Sequence, residues 1–593
     1  MRTVRVAAPL LLAAFSLFGQ ISFQAQGPEL SPPPSNTPAD QKCVVEGRVT
    51  NSQTGEPVKK AAIRLIQHGR TTSQTFSDRL MMGQQGYSAT SLADGTFHID
   101  GIEPGEYLLS GMRTGYLNTA YGAKSPSLPG KVLSLQAGQQ TTDIVLALIP
   151  QAVISGRVLD EDGDPVQGAM VQVLAATWQR GKLRYMPHGG NASDDRGEYR
   201  TPNLSPGKYY VCAQKPEPPG PNPATASPGK PDIRPIRTCY PQAIAFENST
   251  PVEVHAGQDA SGIDIRLQMG QTYHVRGRVF GVLPDAQHVS VTLTQKDEPM
   301  LFLGGQTTVN KDQTFDLPGI APGSYIATAF VMGAGPIHSV GRQPIEVGQG
   351  DVNDVAVPLL QAGTVHGHVR IEGTPVAGSS PLNFSDIRVH VVPAENSPMF
   401  GPTPFAPVKS DGTFTWENVT PAKYHLVLLN PPGAYLKSVR FGQQEIQGNE
   451  LDLSQSASGD LELVFRYGPA ELDGVLQAAD DTSSNGGPSA NTRSGSLVLV
   501  PEGSADSVDW QFATASQSGT FTMKPLRPGR YRIYAFEQVD MAQLQNPEVL
   551  KALENRGTDV ELNENEKKQI QLTPISADEL QQVFAKLGID STQ

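Results

Sequence analysis

Asp94-Gly95-Thr96-Phe97, followed by Ile102-Glu103-Pro104-Gly105-Glu106-Tyr107, is a phrase this chain uses five times. The second copy reads Asp195-Arg196-Gly197-Glu198-Tyr199 and then Leu204-Ser205-Pro206-Gly207-Lys208-Tyr209. The later copies are Phe315 with Ile320-Ala321-Pro322-Gly323-Ser324-Tyr325, Phe414 with Val419-Thr420-Pro421-Ala422-Lys423-Tyr424, and Phe521 with Leu526-Arg527-Pro528-Gly529-Arg530-Tyr531. A phrase recurring about every 100 residues is the signature of a tandem array, in which each unit buries its own modest core.

Working outward, each copy opens on an alternating strand with a central glycine: Val45-Glu46-Gly47-Arg48-Val49, Ile154-Ser155-Gly156-Arg157-Val158, Val275-Arg276-Gly277-Arg278-Val279, Val365-His366-Gly367-His368-Val369 and Leu472-Asp473-Gly474-Val475-Leu476. Period-two alternation puts the glycine on the apolar face, and a strand glycine there implies that a neighbour packs closely over it. The Asp-Gly dipeptides supply the positive φ of a tight turn, and Pro-Gly fits the central positions of a type II turn. Copies close on pairs of short strands around Ala137-Gly138-Gln139 and Ala256-Gly257-Gln258. About seven such strands per copy, with almost no helix, predict an all-β chain: a tandem array of about five antiparallel β-sandwich modules, Ig-like or transthyretin-like, with a short C-terminal helix.

The predicted boundaries are a signal peptide over 1–25, a Pro-rich linker over 26–42, modules over 43–150, 151–269, 270–361, 362–468 and 469–575, and the helix in 576–593. Arg2 and Arg5 precede an apolar run, Val6 to Phe18, too short to span a bilayer, so it reads as a secretory signal cleaved between Gly19 and Gln26. No later segment offers the apolar length of a spanning helix. Within module five, Asn546-Pro547 starts a helix; at the end, Ser576-Ala577-Asp578-Glu579 is a capping box for another, with Leu580, Val583, Phe584 and Leu587 on one stripe. That stripe fits either module five or a partner.

The order Gly-x-Val, Gly-x-Pro-Val-x-x-Ala, Asp-x-x-Gly-x-Tyr/Phe, Pro-Gly-x-Tyr and Ala-Gly-Gln resembles the carboxypeptidase regulatory-like domain, and more broadly the transthyretin-like, Cna-B-like and carbohydrate-binding-like sandwiches. It is clearest in copies one and two. Copy three lacks the Asp-Gly glycine, copy four has Ala422 for the turn glycine, and copy five has Ser518 for the aspartate. The resemblance implies a non-catalytic accessory or surface module and transfers no ligand.

A net charge of −13 disfavours nucleic acid as a partner. None of the eleven histidines begins the His-x-x-Glu of a zinc carboxypeptidase, and no nucleophile elbow or phosphate loop is present. No catalytic, cofactor-binding or metal residue is therefore predicted. His366, His368, His390 and His425 have spacing that permits a metal, but sister copies fill the first two positions with Ser155 and Arg157, a solvated face. The run Asp160 to Asp164 reads as a hairpin turn in preference to a Ca²⁺ loop, and Trp416 and Trp510 read as core. Cys212 and Cys239, private to copy two and on neighbouring strands, are a disulfide candidate that would stabilise by roughly 3 to 4 kcal/mol; two buried thiols are the alternative. Cys43 is expected in the core of the first strand. Trp178 and Tyr185, in a longer excursion of copy two with Arg180 and His188, form a possible glycan platform. The expected role is an exported, non-enzymatic element of the cell envelope, secreted, periplasmic or on the cell surface, structural, adhesive or protein-binding, whose partner is an envelope protein or glycan. The alternatives are a carbohydrate-binding protein and an accessory subunit of a peptidase or transporter.

Overall fold

The computed structural model describes residue 30 and residues 37–589, apart from 68–85, 216–231, 297–302, 333–338, 376–380, 395–403, 478–494 and a few isolated positions. The signal peptide and most of the Pro-rich linker lie outside the described residues. The chain divides into two compact units, residues 1–121 with 135–148, and residues 122–134 with 149–593.

In the first unit, strand Cys43–Asn51 is central in its sheet, antiparallel to Thr96–Ile102 and parallel to Gln140–Leu148. A second sheet places Ala62–Gln67 between Gly86–Thr90 and Gly105–Met112. Alternation turns Val45, Val49, Ile63, Leu65, Phe97, Tyr107 and Leu109 inward, all buried. Cys43 is buried among them as a free thiol, its Sγ 2.9 Å from the Gln136 carbonyl.

The second unit repeats this plan from copy two to copy five, each glycine-centred strand lying between an antiparallel aromatic-bearing strand and a parallel closing strand. The sandwiches are therefore antiparallel except for one parallel pair per copy. Alternation is blind to strand direction, and the crossover that a parallel pair requires is supplied by the whole second sheet.

The glycine has a specific neighbour. Gly47, Gly156, Gly277, Gly367 and Gly474 stand directly opposite Phe97, Tyr199, Phe315, Phe414 and Phe521. A Cβ on Gly367 would come 2.0 Å from the Phe414 ring, and one on Gly156 would come 2.1 Å from the Ile263 carbonyl, between the two short parallel strands Asp259–Ala260 and Ile265–Arg266. The aromatic and the parallel partner close over a position that only glycine fills.

The Pro-Gly-x-Tyr phrase does not form the expected type II turn. Gly105, Gly207, Gly323 and Gly529 have φ of 155–157° and each is the first residue of a strand. The tyrosine two residues on folds back, and its hydroxyl donates to the carbonyl four residues upstream: Tyr107 to Glu103, Tyr209 to Ser205, Tyr325 to Ala321, Tyr424 to Thr420 and Tyr531 to Arg527, at 2.6–2.9 Å. This is a tyrosine corner, which satisfies a carbonyl where the chain changes sheets. At Ala422 no positive φ is needed, and the strand starts one residue later, at Lys423. The opposite substitution occurs in copy three, where Gln313 takes the turn position of Gly95 and Gly412 and holds φ 68°.

The helix started by Asn546 spans Pro547–Ala552, preceded by an unexpected short helix, Met541–Leu544. The C-terminal helix Ala577–Lys586 is capped by Ser576 and buries Leu580 and Phe584 against Trp510, Tyr534, Phe536 and Leu544 of copy five. Most of its apolar stripe is thus covered by its own chain, while Leu587 at the end of the stripe is exposed.

Candidate functional site

The excursion of copy two is a hairpin of Met170–Gln179 and Lys182–Gly189, extending a sheet that continues through Gly207–Gln214 to Thr238–Cys239. One face of this sheet joins the sandwich core through Val171 and Val173. On the other face lie Leu174, Cys212, Cys239 and Phe246, buried, with Tyr185 and Tyr210 packed on them. Cys212 stands directly opposite Cys239 in the antiparallel pair, and the two are disulfide-bonded.

Tyr185 is held edge-on by Phe246 at 4.4 Å and by Tyr210 at 5.3 Å. It is therefore half-buried in a small aromatic core over the disulfide and does not offer an open stacking plane. Trp178 lies on the same face, opposite Leu183, also half-buried. Leu183 is 42% exposed, so apolar surface does reach solvent at this end of the hairpin. Trp416 and Trp510 are core residues.

The four histidines are not brought together. His366 and His368 are exposed on the outer face of one sheet, while His390 and His425 alternate with core residues on the opposite sheet, His390 half-buried and His425 buried. Among the described residues no group of three or more His, Cys, Asp or Glu side chains is placed to hold a metal. In the acidic run, the Asp160 carboxylate accepts from the backbone N–H of Asp162 and Asp164, so it braces its own turn. The recurrent turn aspartates Asp94, Asp312 and Asp411 each accept from the hydroxyl and N–H of a threonine two residues on, which holds their carboxyls below the usual range. Ser516, Ser518 and Thr520 replace that arrangement in copy five with mutual hydroxyl contacts.

Three features escape sequence reasoning. His274 Nδ1 lies 2.7 Å from Asp316, whose carboxylate also meets Arg276, which in turn reaches Asp351 at 2.8 Å. Strand Asp232–Ile236 leaves copy two and pairs over five residues with Gln268–Thr272 of strand Gln268–Phe280, which continues as the central strand of copy three. Glu564 of copy five joins copy four through Arg466 at 2.7 Å and the Tyr435 hydroxyl at 2.8 Å. All three depend on residues brought together by tertiary structure, and no periodicity marks them.

The chain is similar to several solved structures. They include the minor pilin GBS52 of Streptococcus agalactiae, at 13% identity over 38% of this chain and 95% of that one, TM-score 0.22. The shaft pilin SpaA of Lactobacillus rhamnosus GG matches at 12% identity over 41% and 99%, TM-score 0.18. The dioxygenase domain of a dioxygenase carbohydrate-binding protein fusion from Streptomyces sp. SirexAA-E matches at 16% over 22% and 96%, TM-score 0.14. At such scores nothing of those proteins' roles passes to this chain. No curated protein matches it. Residues 153–268 match the model of the carboxypeptidase regulatory-like domain, so copy two is similar to that domain along its length and not only in the short phrases that recur.

Proposed function

We propose that this protein is an exported, non-enzymatic array of about five β-sandwich modules that serves the cell envelope as a structural, adhesive or protein-interaction element, with modules over 43–150, 151–269, 270–361, 362–468 and 469–575. The observation that carries this reading is where the recurring residues are used. The strand glycine, the aromatic opposite it, the turn aspartate and the corner tyrosine all hold the sandwiches together. In the second unit the joints between copies are built as well, by main-chain pairing of Asp232–Ile236 and by the Glu564 ion pair. Built joints favour a scaffold over a flexible string. Export rests on Arg2, Arg5 and the apolar run after them; among the described residues no helix is long and apolar enough to cross a membrane.

The test is to fractionate cells making the tagged full chain, sequence its N-terminus and cross-link it in place. The expected result is processing between Gly19 and Gln26, recovery with the envelope or medium, and cross-links to an envelope component. Unprocessed cytoplasmic protein, or substrate turnover abolished by a single side-chain change, overturns the proposal. Carbohydrate binding is the second reading, favoured by the half-buried Trp178 beside exposed Leu183. A glycan array comparing the full chain with Trp178→Ala decides it: binding that is lost in the variant supports this reading, and no binding removes it.

A further inference from the structure

The hairpin of copy two has a tip made of Arg180 and Gly181, both with positive φ, 51° and 73°. Two positive φ values make a two-residue type I′ turn, for which Asn-Gly is the favoured pair and arginine an uncommon first residue. A side chain kept at a strained position is held for what it touches. The Arg180 backbone N–H donates to the Gln545 side-chain carbonyl at 2.9 Å, at the end of helix Met541–Leu544 in copy five. Its guanidinium donates to the main-chain carbonyls of Pro393 and Ala394 in copy four. Gln545 also accepts from Ser507, and nearby Asp509 accepts from Asn449 of copy four at 2.7 Å. The tip thus sits where copies four and five meet, more than 200 residues downstream of it.

We propose that this hairpin is an intrachain latch. It closes copy two onto the joint between copies four and five, with the Arg180 guanidinium capping carbonyls of one and the Arg180 backbone engaging the other. Hydrogen bonds from a charged donor to carbonyls, with a positive-φ residue held in place, give the contact a built character that a chance surface touch lacks. This inference is independent of the envelope reading and stands or falls on the fold alone.

The decisive variant is Arg180→Asn in the full chain. Asparagine tolerates positive φ, so the hairpin keeps its turn while the guanidinium is removed. Hydrogen exchange read by mass spectrometry is expected to speed up roughly tenfold over residues 541–545 and 390–394, while residues 170–178 and 207–214 keep wild-type protection. Gln545→Ala, which removes the other acceptor, is expected to act in the same direction. Wild-type exchange at 541–545 and 390–394 in both variants overturns the latch; so does loss of protection confined to the hairpin itself in Arg180→Asn with no effect of Gln545→Ala.

Discussion

Replacing Tyr107 by phenylalanine tests whether the corner hydroxyl holds a copy together. The ring is 1% exposed, so phenylalanine fills the same space while the hydroxyl's bond to the Glu103 carbonyl at 2.8 Å and its contact with Tyr87 are lost. Tyr87 meets the same loop from the other side, its hydroxyl accepting from the Glu103 N–H at 3.0 Å, with the two rings 6.0 Å apart. Loss of one part-buried hydrogen bond costs about 1 kcal/mol, which raises the open fraction roughly fivefold. The chain carries its own probe: Cys43 is a buried free thiol of the same unit. Alkylation of Cys43 in the full-length protein, under conditions where opening is in equilibrium, reads that open fraction directly. The labelling rate in Tyr107→Phe is expected to rise by that factor. A rate within twofold of wild type would refute the claim that the hydroxyl is a structural bond.

Gly367→Ala is expected to destabilise copy four by about 1 to 3 kcal/mol, because the new Cβ meets the buried Phe414 ring at 2.0 Å and forces it to move; a red shift of buried Trp416 at lower denaturant than in wild type checks it. Gln313→Gly is expected to stabilise copy three by up to about 1 kcal/mol, relief of the left-handed strain outweighing the added unfolded-state freedom, seen as slower hydrogen exchange over 310–317. All five corner tyrosines have raised pKa values, chiefly from burial, reaching about 12 at Tyr209 and Tyr531. Their contribution is complete below the unfolded value near 10 and is lost as pH rises from there through the folded values, so unfolding should begin in that window with tyrosinate absorbance rising in step; tyrosinate appearing well below pH 10 without unfolding would contradict it. Peptide mapping without reductant is expected to recover Cys212 linked to Cys239, their strands being directly opposed; two alkylated thiols from exported protein would count against it.

Much of the sandwich could be read from sequence because its determinants are local. The order of strand glycine and later aromatic, Gly47 and Phe97 in copy one, recurs in each copy, and both the alternation and the turn glycine at Gly95 have physical meaning within a few residues. The corner tyrosine is legible as a recurring position but not as a hydroxyl donor. Pro-Gly suggested a turn whose dihedrals glycine would satisfy, whereas Gly105 opens a strand at φ 157°. The parallel closing strand was not legible, since alternation in Gln140–Leu148 reads the same in either direction. In the hairpin the residue types were noticed but their use was not: Tyr185 is recruited by Phe246, and Arg180 by carbonyls more than 200 positions away. Such partners are set by tertiary placement and leave no periodic trace.

Strand Gln268–Phe280 belongs to two neighbours at once: its first half receives Asp232–Ile236, and its second half is the glycine-centred strand around Gly277. A boundary at 269/270 falls inside it. Copies two and three are therefore joined through one continuous strand. An isolated fragment 151–269 would keep Asp232–Ile236 but lose its partners Gly270 to Thr272, leaving an edge ready to pair with any exposed strand it met. A cut that preserves both pairings has to fall outside residues 232–280.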